Sequence, residues 1–178
     1  MTRKLFWIDL ETTGLNPATD EILECVIMEA EFHAPFNVRP VFSEVFRITN
    51  QPTAEAVINM HTANGLLREA ENARRLATDP SVTADILRVI PESAERHYFA
   101  GSSVWFDVGF VRRNWPDVAA RFHYRVFDMS AIAILAETSG MPLEERKEKD
   151  KPHRAALDIL TSVRFGHDLR AWLRSGPA

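Results

Sequence analysis

A mixed five-stranded sheet flanked by helices, in the α/β class, is the fold this 178-residue sequence predicts. Three observations carry that reading. Three strand-like runs crowd the N-terminal quarter and are joined by short turns, as in an antiparallel meander. Helical patterns then alternate with two more short strand-like runs. The composition, 46% hydrophobic and 26% charged, suits one compact soluble domain over residues 1–178.

The elements follow in order. Lys4–Leu10 reads as a buried strand, and Ile22–Phe32 as a second. "GLNPATD" between them is turn chemistry, with Gly14, Asn16 and Pro17 close together. Val41–Thr49 alternates with period two, Phe42, Phe46 and Ile48 against Ser43 and Arg47. From Thr53 to about Arg96 the pattern turns helical, and a helix at Ser81–Val89 stops near Pro91. "HYFAG" (His97–Gly101) is a short strand, Phe106–Trp115 a helix ended by Pro116, Tyr124–Asp128 a strand and Met129–Glu137 a helix. Ser139–Pro152 is a charge-rich loop before a last helix, Arg154–Trp172. There is no internal repeat, linker or low-complexity tract.

Acids stand where this pattern expects apolar side chains. In "IDLETTGL", Asp9 and Glu11 close a hydrophobic run two residues apart, so on a strand they share one face. Like charges in a dry place repel, and a hard divalent cation is the natural compensation. The alternative is that the strand ends at Ile8 and both acids are solvated. Asp107 in "WFDVGF" and Asp128 in "YRVFD" each suit a helix N-cap. Capping is the favoured reading for Asp128 and a poorer one for Asp107, which has helix-compatible residues on both sides. Asp158, inside the last helix among Ala155, Ala156, Leu157 and Ile159, is explained by neither cap nor turn. His153 lies five residues earlier; at about 100° per residue the two do not share a helix face, so His153 belongs to the approaching loop.

Charge and cysteine usage narrow the partners. The net charge of -4, from 21 Lys+Arg against 25 Asp+Glu, disfavours a long basic track for duplexes. Cys25 is the sole cysteine, so no intrachain disulfide forms, and it reads as a small core residue in a reducing compartment. The apolar run before Asp9 is too short for a secretory signal, and no stretch has the length of a membrane helix. A soluble, cytoplasmic protein is expected.

Taken together, "IDLETTGL", "SVWFDVGF" and "HRAALD" resemble the three motifs of the DEDDh 3′–5′ exonucleases, namely D-x-E, a central D, and H-x(4)-D. All five expected side chains occur in the expected order: Asp9, Glu11, Asp107, His153 and Asp158. The resemblance implies an RNase H-like sheet, with three antiparallel strands followed by two parallel ones. "HTANGLL" (His61–Leu67) and "FHYRVFDMS" (Phe122–Ser130) extend it to the oligoribonuclease branch, whose substrates are very short RNAs. Departures from that branch are Thr12 where Met is usual, Ser102 where Asn is usual, and Ala56 near the place of an aromatic.

What the resemblance implies is specific. Asp9, Glu11, Asp107 and Asp158 would hold two divalent ions, Mg²⁺ or Mn²⁺, with Asp9 bridging them. His153 would be the general base, an imidazole near pKa ~6.5 suiting that role at neutral pH. Leu15 would wedge against or between bases, and His61 and Tyr124 would lie near the scissile region. Ser103, Arg125 and Ser130 would cap the 5′ phosphate of a dinucleotide, an arrangement that needs no long basic groove. The substrate would be short single-stranded RNA, the products nucleoside 5′-monophosphates, and the assembly a homodimer. A DNA-directed 3′–5′ exonuclease, of proofreading or scavenging type, is the competing expectation.

Overall fold

The computed structural model describes residues 3–142 and 153–175. Its five strands are β1 (Lys4–Thr12), β2 (Ile22–Glu31), β3 (Arg39–Val45), β4 (Tyr98–Gly101) and β5 (Phe127–Asp128). They lie in the order β3-β2-β1-β4-β5. β1 and β2 pair antiparallel, as do β2 and β3, whereas β1–β4 and β4–β5 are parallel. The mixed sheet is the predicted one.

Burial on both faces explains the near-continuous hydrophobicity of β1 and β2. Phe6, Ile8 and Leu10 face one core cluster with Trp115, Phe110 and Ile86. Leu5 and Trp7 face the other, with Phe36, Ile159 and Val163. Because strand side chains alternate, Asp9 and Glu11 continue the Leu5–Trp7 row onto this second face. Cys25 is fully buried in the first cluster, as expected of a core residue.

Seven helices occur among the described residues: α1 (Glu55–Ala63), α2 (Leu66–Asn72), α3 (Pro80–Val89), α4 (Trp105–Asn114), α5 (Pro116–Ala119), α6 (Met129–Thr138) and α7 (Ala155–Ser175). The helical stretch predicted from Thr53 is thus three helices. Gly65 breaks the first two apart by adopting φ 80, a left-handed conformation that glycine takes without steric cost. Asp79 caps α3, accepting from Ser81 N–H at 2.8 Å, with Pro80 in the first turn.

Other boundaries moved for physical reasons. β3 ends at Val45, before Thr49, because Arg47 leaves the ladder to bridge Leu76. β5 keeps only two of the five residues expected of "YRVFD", so Tyr124 and Arg125 lie in the turn before it. Pro116 opens the short α5 as well as following α4, since a missing N–H costs nothing in a first turn. Residues 143–152 of the predicted Ser139–Pro152 loop lie outside the described residues. None of the described helices is long and apolar enough to cross a membrane.

Candidate active site

The C-terminal end of β1 is where the acids meet. Asp9, Glu11 and Asp158 each offer a carboxylate oxygen, and these atoms all lie within 4.8 Å of one another. β1 supplies two of them from one face, and the first turn of α7, packed over that face, supplies the third. The strand pairing slips between Glu11 and Thr12, an irregularity at the site itself of the kind that re-aims side chains.

Asp107 approaches along the sheet plane, where the Leu10 N–H points. It sits in the first turn of α4, buried, and accepts the Leu10 N–H at 2.9 Å. It is not the N-cap, a position that falls to Val104, and its carboxylate takes a strand N–H as well as its own backbone N–H. Its carboxylate stands apart from the tight group of three but acts on it electrically: Asp107 raises the pKa of both Asp9 and Glu11.

Asp9, Glu11 and Asp107 are far from their ordinary proton affinity. Burial, then Asp107, Asp158, Glu11 and Glu24, push Asp9 well up. Burial, Asp158 and Glu24 push Glu11 up to about 8, against a lowering by Arg154. Burial pushes Asp107 up to about 7, opposed by its bond from Leu10. A group of oxygen donors that resists losing its protons unless a positive charge arrives is what a hard dication requires. The donor set fits divalent ions.

His153 stands one residue ahead of Arg154 at the mouth of α7, with an exposed side chain. Its carbonyl accepts from the Asn64 amide, whose oxygen in turn takes Leu66 N–H at 3.0 Å, so the "HTANGLL" segment ties down the loop beside the acids. His61 is fully buried beneath the site. Its Nε2 lies 3.8 Å from Glu11 Oε2 and 3.3 Å from the Thr12 carbonyl. Its Nδ1 has no hydrogen-bond partner among the described residues, and burial lowers its pKa.

The remaining sequence candidates divide. Leu15 projects from the turn after β1 and is 81% exposed. Ser103 and Ser130 come together, Oγ to Oγ at 3.0 Å, with both backbone N–H groups donating to Asp128 Oδ1 at 3.1 and 2.8 Å. Asp128 therefore caps α6, as favoured from sequence, and also holds Ser103 in a left-handed conformation, φ 51. Tyr124 and Arg125 form an exposed corner of their own. Tyr124 stacks on His123, Arg125 lies 5.4 Å over the Tyr124 ring, and His123 packs on Tyr98, at the opposite end of β4 from Gly101 and Ser103.

Two neighbours of the site escaped the sequence reading. Glu24 is buried directly across the β1–β2 ladder from Glu11, and Arg154 grips it, Nη2 to Oε1 at 2.8 Å. The signal for Glu24 was the one that exposed Asp9, a lone charge inside an apolar run ("ILECVIM").

Comparison with known proteins agrees with this geometry. Residues 6–165 match the exonuclease family of RNase T type. The chain is 31% identical over 172 residues to an oligoribonuclease of Tropheryma whipplei, covering 89% of this chain and 87% of the relative. It is 32% identical over 170 residues to one of Leifsonia xyli, covering 90% and 79%. Among solved structures, exonuclease I of Methylocaldum szegediense superposes with a TM-score of 0.71 at 15% identity, over 96% of this chain and 41% of that one. E. coli exonuclease I bound to a 5cy-dT13 oligonucleotide gives 0.68 at 16%, over 96% and 41%. This chain spans under half the length of those structures, and the likeness fixes the RNase H-like fold. By sequence, the chain belongs to the exonuclease family, among the oligoribonucleases.

Proposed function

We propose that the chain is a single-domain 3′–5′ exoribonuclease that hydrolyses very short RNAs, chiefly dinucleotides, to nucleoside 5′-monophosphates in the cytoplasm, with two Mg²⁺ or Mn²⁺ ions. The convergence of Asp9, Glu11 and Asp158 within 4.8 Å, with Asp107 beside them, carries this reading. All four would hold the ions, with Asp9, flanked by Glu11, Asp107 and Asp158, best placed to serve both. When bound, divalent ions polarise the phosphodiester and acidify water, which is the chemistry a nuclease of this type needs.

The chain's own residues do the rest. His153, exposed at the rim on a loop held by Asn64, takes the proton of the attacking water. Leu15 offers an apolar edge to a base, which explains why so exposed a leucine stands beside the site. Ser103 and Ser130 present adjacent hydroxyls to a terminal phosphate, and a cap there favours two nucleotides over many. His61, buried against Glu11, supports the scissile region from below. Arg125 would complete the cap and Tyr124 would lie near the scissile region, both offered from one exposed corner.

The test compares a 5′-labelled RNA dinucleotide, its DNA equivalent and longer strands, with and without chelator. Fast, chelator-sensitive conversion of the RNA dinucleotide is expected. Rapid loss of long DNA with the RNA dinucleotide untouched would favour the DNA-directed reading. A sedimentation run showing a monomer at all concentrations would remove the homodimer.

A further inference from the structure

One basic side chain is built into the acidic end of the sheet, and it contacts none of the four proposed ion-holding acids by hydrogen bond. Arg154 directs its fork at Glu24, with Nε–Oε2 at 3.1 Å and Nη2–Oε1 at 2.8 Å, and at Glu69, with two bonds of 3.0 Å. Glu24 is almost fully buried. Its second task is to accept the Ala155 N–H at 3.0 Å, the first free donor of α7. The Arg154 carbonyl meanwhile accepts from Leu157 and Asp158 N–H groups at 2.9 and 3.1 Å, so Arg154 begins the turn that ends at Asp158.

These contacts form a short mechanical chain. Glu11 and Glu24 face each other across β1 and β2, Glu24 holds Arg154 and the helix end, and Asp158 stands one turn further on. Farther along, α7 is located independently: a Cβ on Gly166 would lie 2.1 Å from the Phe36 ring, so the helix sits as close as a glycine allows. With the body of α7 fixed there, the Glu24–Arg154 contact sets where its first turn lies relative to β1.

We propose that Arg154 is a positioning residue for the reaction: by clamping Glu24 it places Asp158 against Asp9 and Glu11, and keeps Glu24 itself from becoming a rival ligand. The second effect follows from saturation. Both Glu24 oxygens are spent on a guanidinium and a helix N–H, leaving neither aimed at the three-acid group. Arg fits the task better than Lys because its planar fork serves two carboxylates at once. This inference rests on the exonuclease reading above and adds to it a residue that touches neither substrate nor ion.

The full-length protein tests it in three variants, Arg154→Met, Arg154→Lys and Glu24→Gln. Mn²⁺ uptake is followed by calorimetry without substrate, and kcat and KM are measured on an RNA dinucleotide. Arg154→Met is expected to weaken Mn²⁺ binding and lower kcat by about tenfold or more, the range seen when groups supporting metal ligands are lost, with KM within about twofold. Arg154→Lys should fall between it and wild type. Glu24→Gln, which keeps one acceptor oxygen and loses the charge and the other acceptor, should show a loss of the same kind. A raised KM with kcat and Mn²⁺ affinity intact would mean that Arg154 binds substrate and would overturn the proposal. So would wild-type behaviour in the Lys and Gln variants, which also decide the matter if Arg154→Met fails to fold. Should the wild type cleave no nucleic acid, the Mn²⁺ measurements still report on the clamp.

Discussion

On β3 and α3, Glu44 and Asp85 share one guanidinium: Arg75 Nε lies 2.9 Å from Glu44 Oε1, and Nη1 lies 2.8 Å from Asp85 Oδ2. On β1 and α7, Asp9, Glu11 and Asp158 bring carboxylate oxygens within 4.8 Å of one another, and among the described residues no arginine bonds Asp9 or Glu11. The first group pushes the Arg75 pKa up and holds Asp85 below the usual carboxylate range. The second drives Asp9 and Glu11 the other way, Glu11 to about 8. Both are made of acids near a sheet edge or end, so acidity alone distinguishes nothing. What differs is whether a guanidinium holds the acids: Glu44 and Asp85 are held by one, whereas Asp9 and Glu11 are not bonded by one and suit a cation from solution.

Removing Asp9 breaks this contrast most severely. Asp9→Ala should lower dinucleotide cleavage by about 10⁴-fold or more, because the proposed two-ion site loses the carboxylate on which the other three all act. The same change relieves repulsion, so the chelated variant should melt no lower than wild type. Loss of folding together with activity would contradict a site that the fold tolerates rather than needs. His153→Ala ranks next. It leaves the acids untouched and removes only the proton acceptor, for which a loss of about 10²–10³ in kcat is expected. Mn²⁺ affinity measured by calorimetry should stay as in wild type, and a fall there would make His153 part of the ion site.

The order in which these features could be read reflects their physics. Asp9, Glu11 and Asp158 were visible because a charge within a hydrophobic period has few structural excuses, and the sheet followed from local runs and turns. Glu24 breaks its run in the same way, but its meaning depends on Arg154, which lies 130 residues away. No local pattern reports a partner at that distance. Tyr124 and Arg125 looked like strand residues because "YRVFD" has strand composition, whereas only Phe127 and Asp128 find a neighbour in β4 to pair with. The left-handed Ser103 was also hidden, since a hydrogen bond to Asp128 enforces a conformation that serine composition does not announce.

Acidity itself offers the next discrimination, with an effect on stability and not on turnover. In the native state Asp9 and Glu11 hold protons that the unfolded chain releases near pH ~4, so the native state binds more protons and stability falls as pH rises. The cleanest window is pH 7.0 to 8.5. Burial lowers the pKa of His61 and His97, whose opposing contributions are complete below it, while Glu11 titrates at about 8, within it. Thermal melts in chelator should therefore drop by a few degrees across that range, at ~2–4 °C per kcal/mol for a chain of this size. Excess Mg²⁺ should flatten or reverse the slope, since it binds the deprotonated site. A chelated protein whose melting point rises over the same interval would show that the acids are not crowded as the structure has them.

Arg75→Ala should produce the smallest change and the most telling control. It takes the guanidinium from Glu44 and leaves Asp85 only the exposed Arg88, so the bridge between β3 and α3 is broken. Because both carboxylates are partly exposed, water replaces most of what the guanidinium gave, and the cost should be about 1 kcal/mol, or ~3 °C in melting temperature. No cation site should appear, as Glu44 and Asp85 then lack both the burial and the third carboxylate that Asp158 provides to Asp9 and Glu11. Dinucleotide cleavage and Mn²⁺ stoichiometry should match wild type. New Mn²⁺ uptake in this variant would show that uncompensated acids suffice to bind an ion here, and that the geometry at β1 and α7 contributes less than argued above.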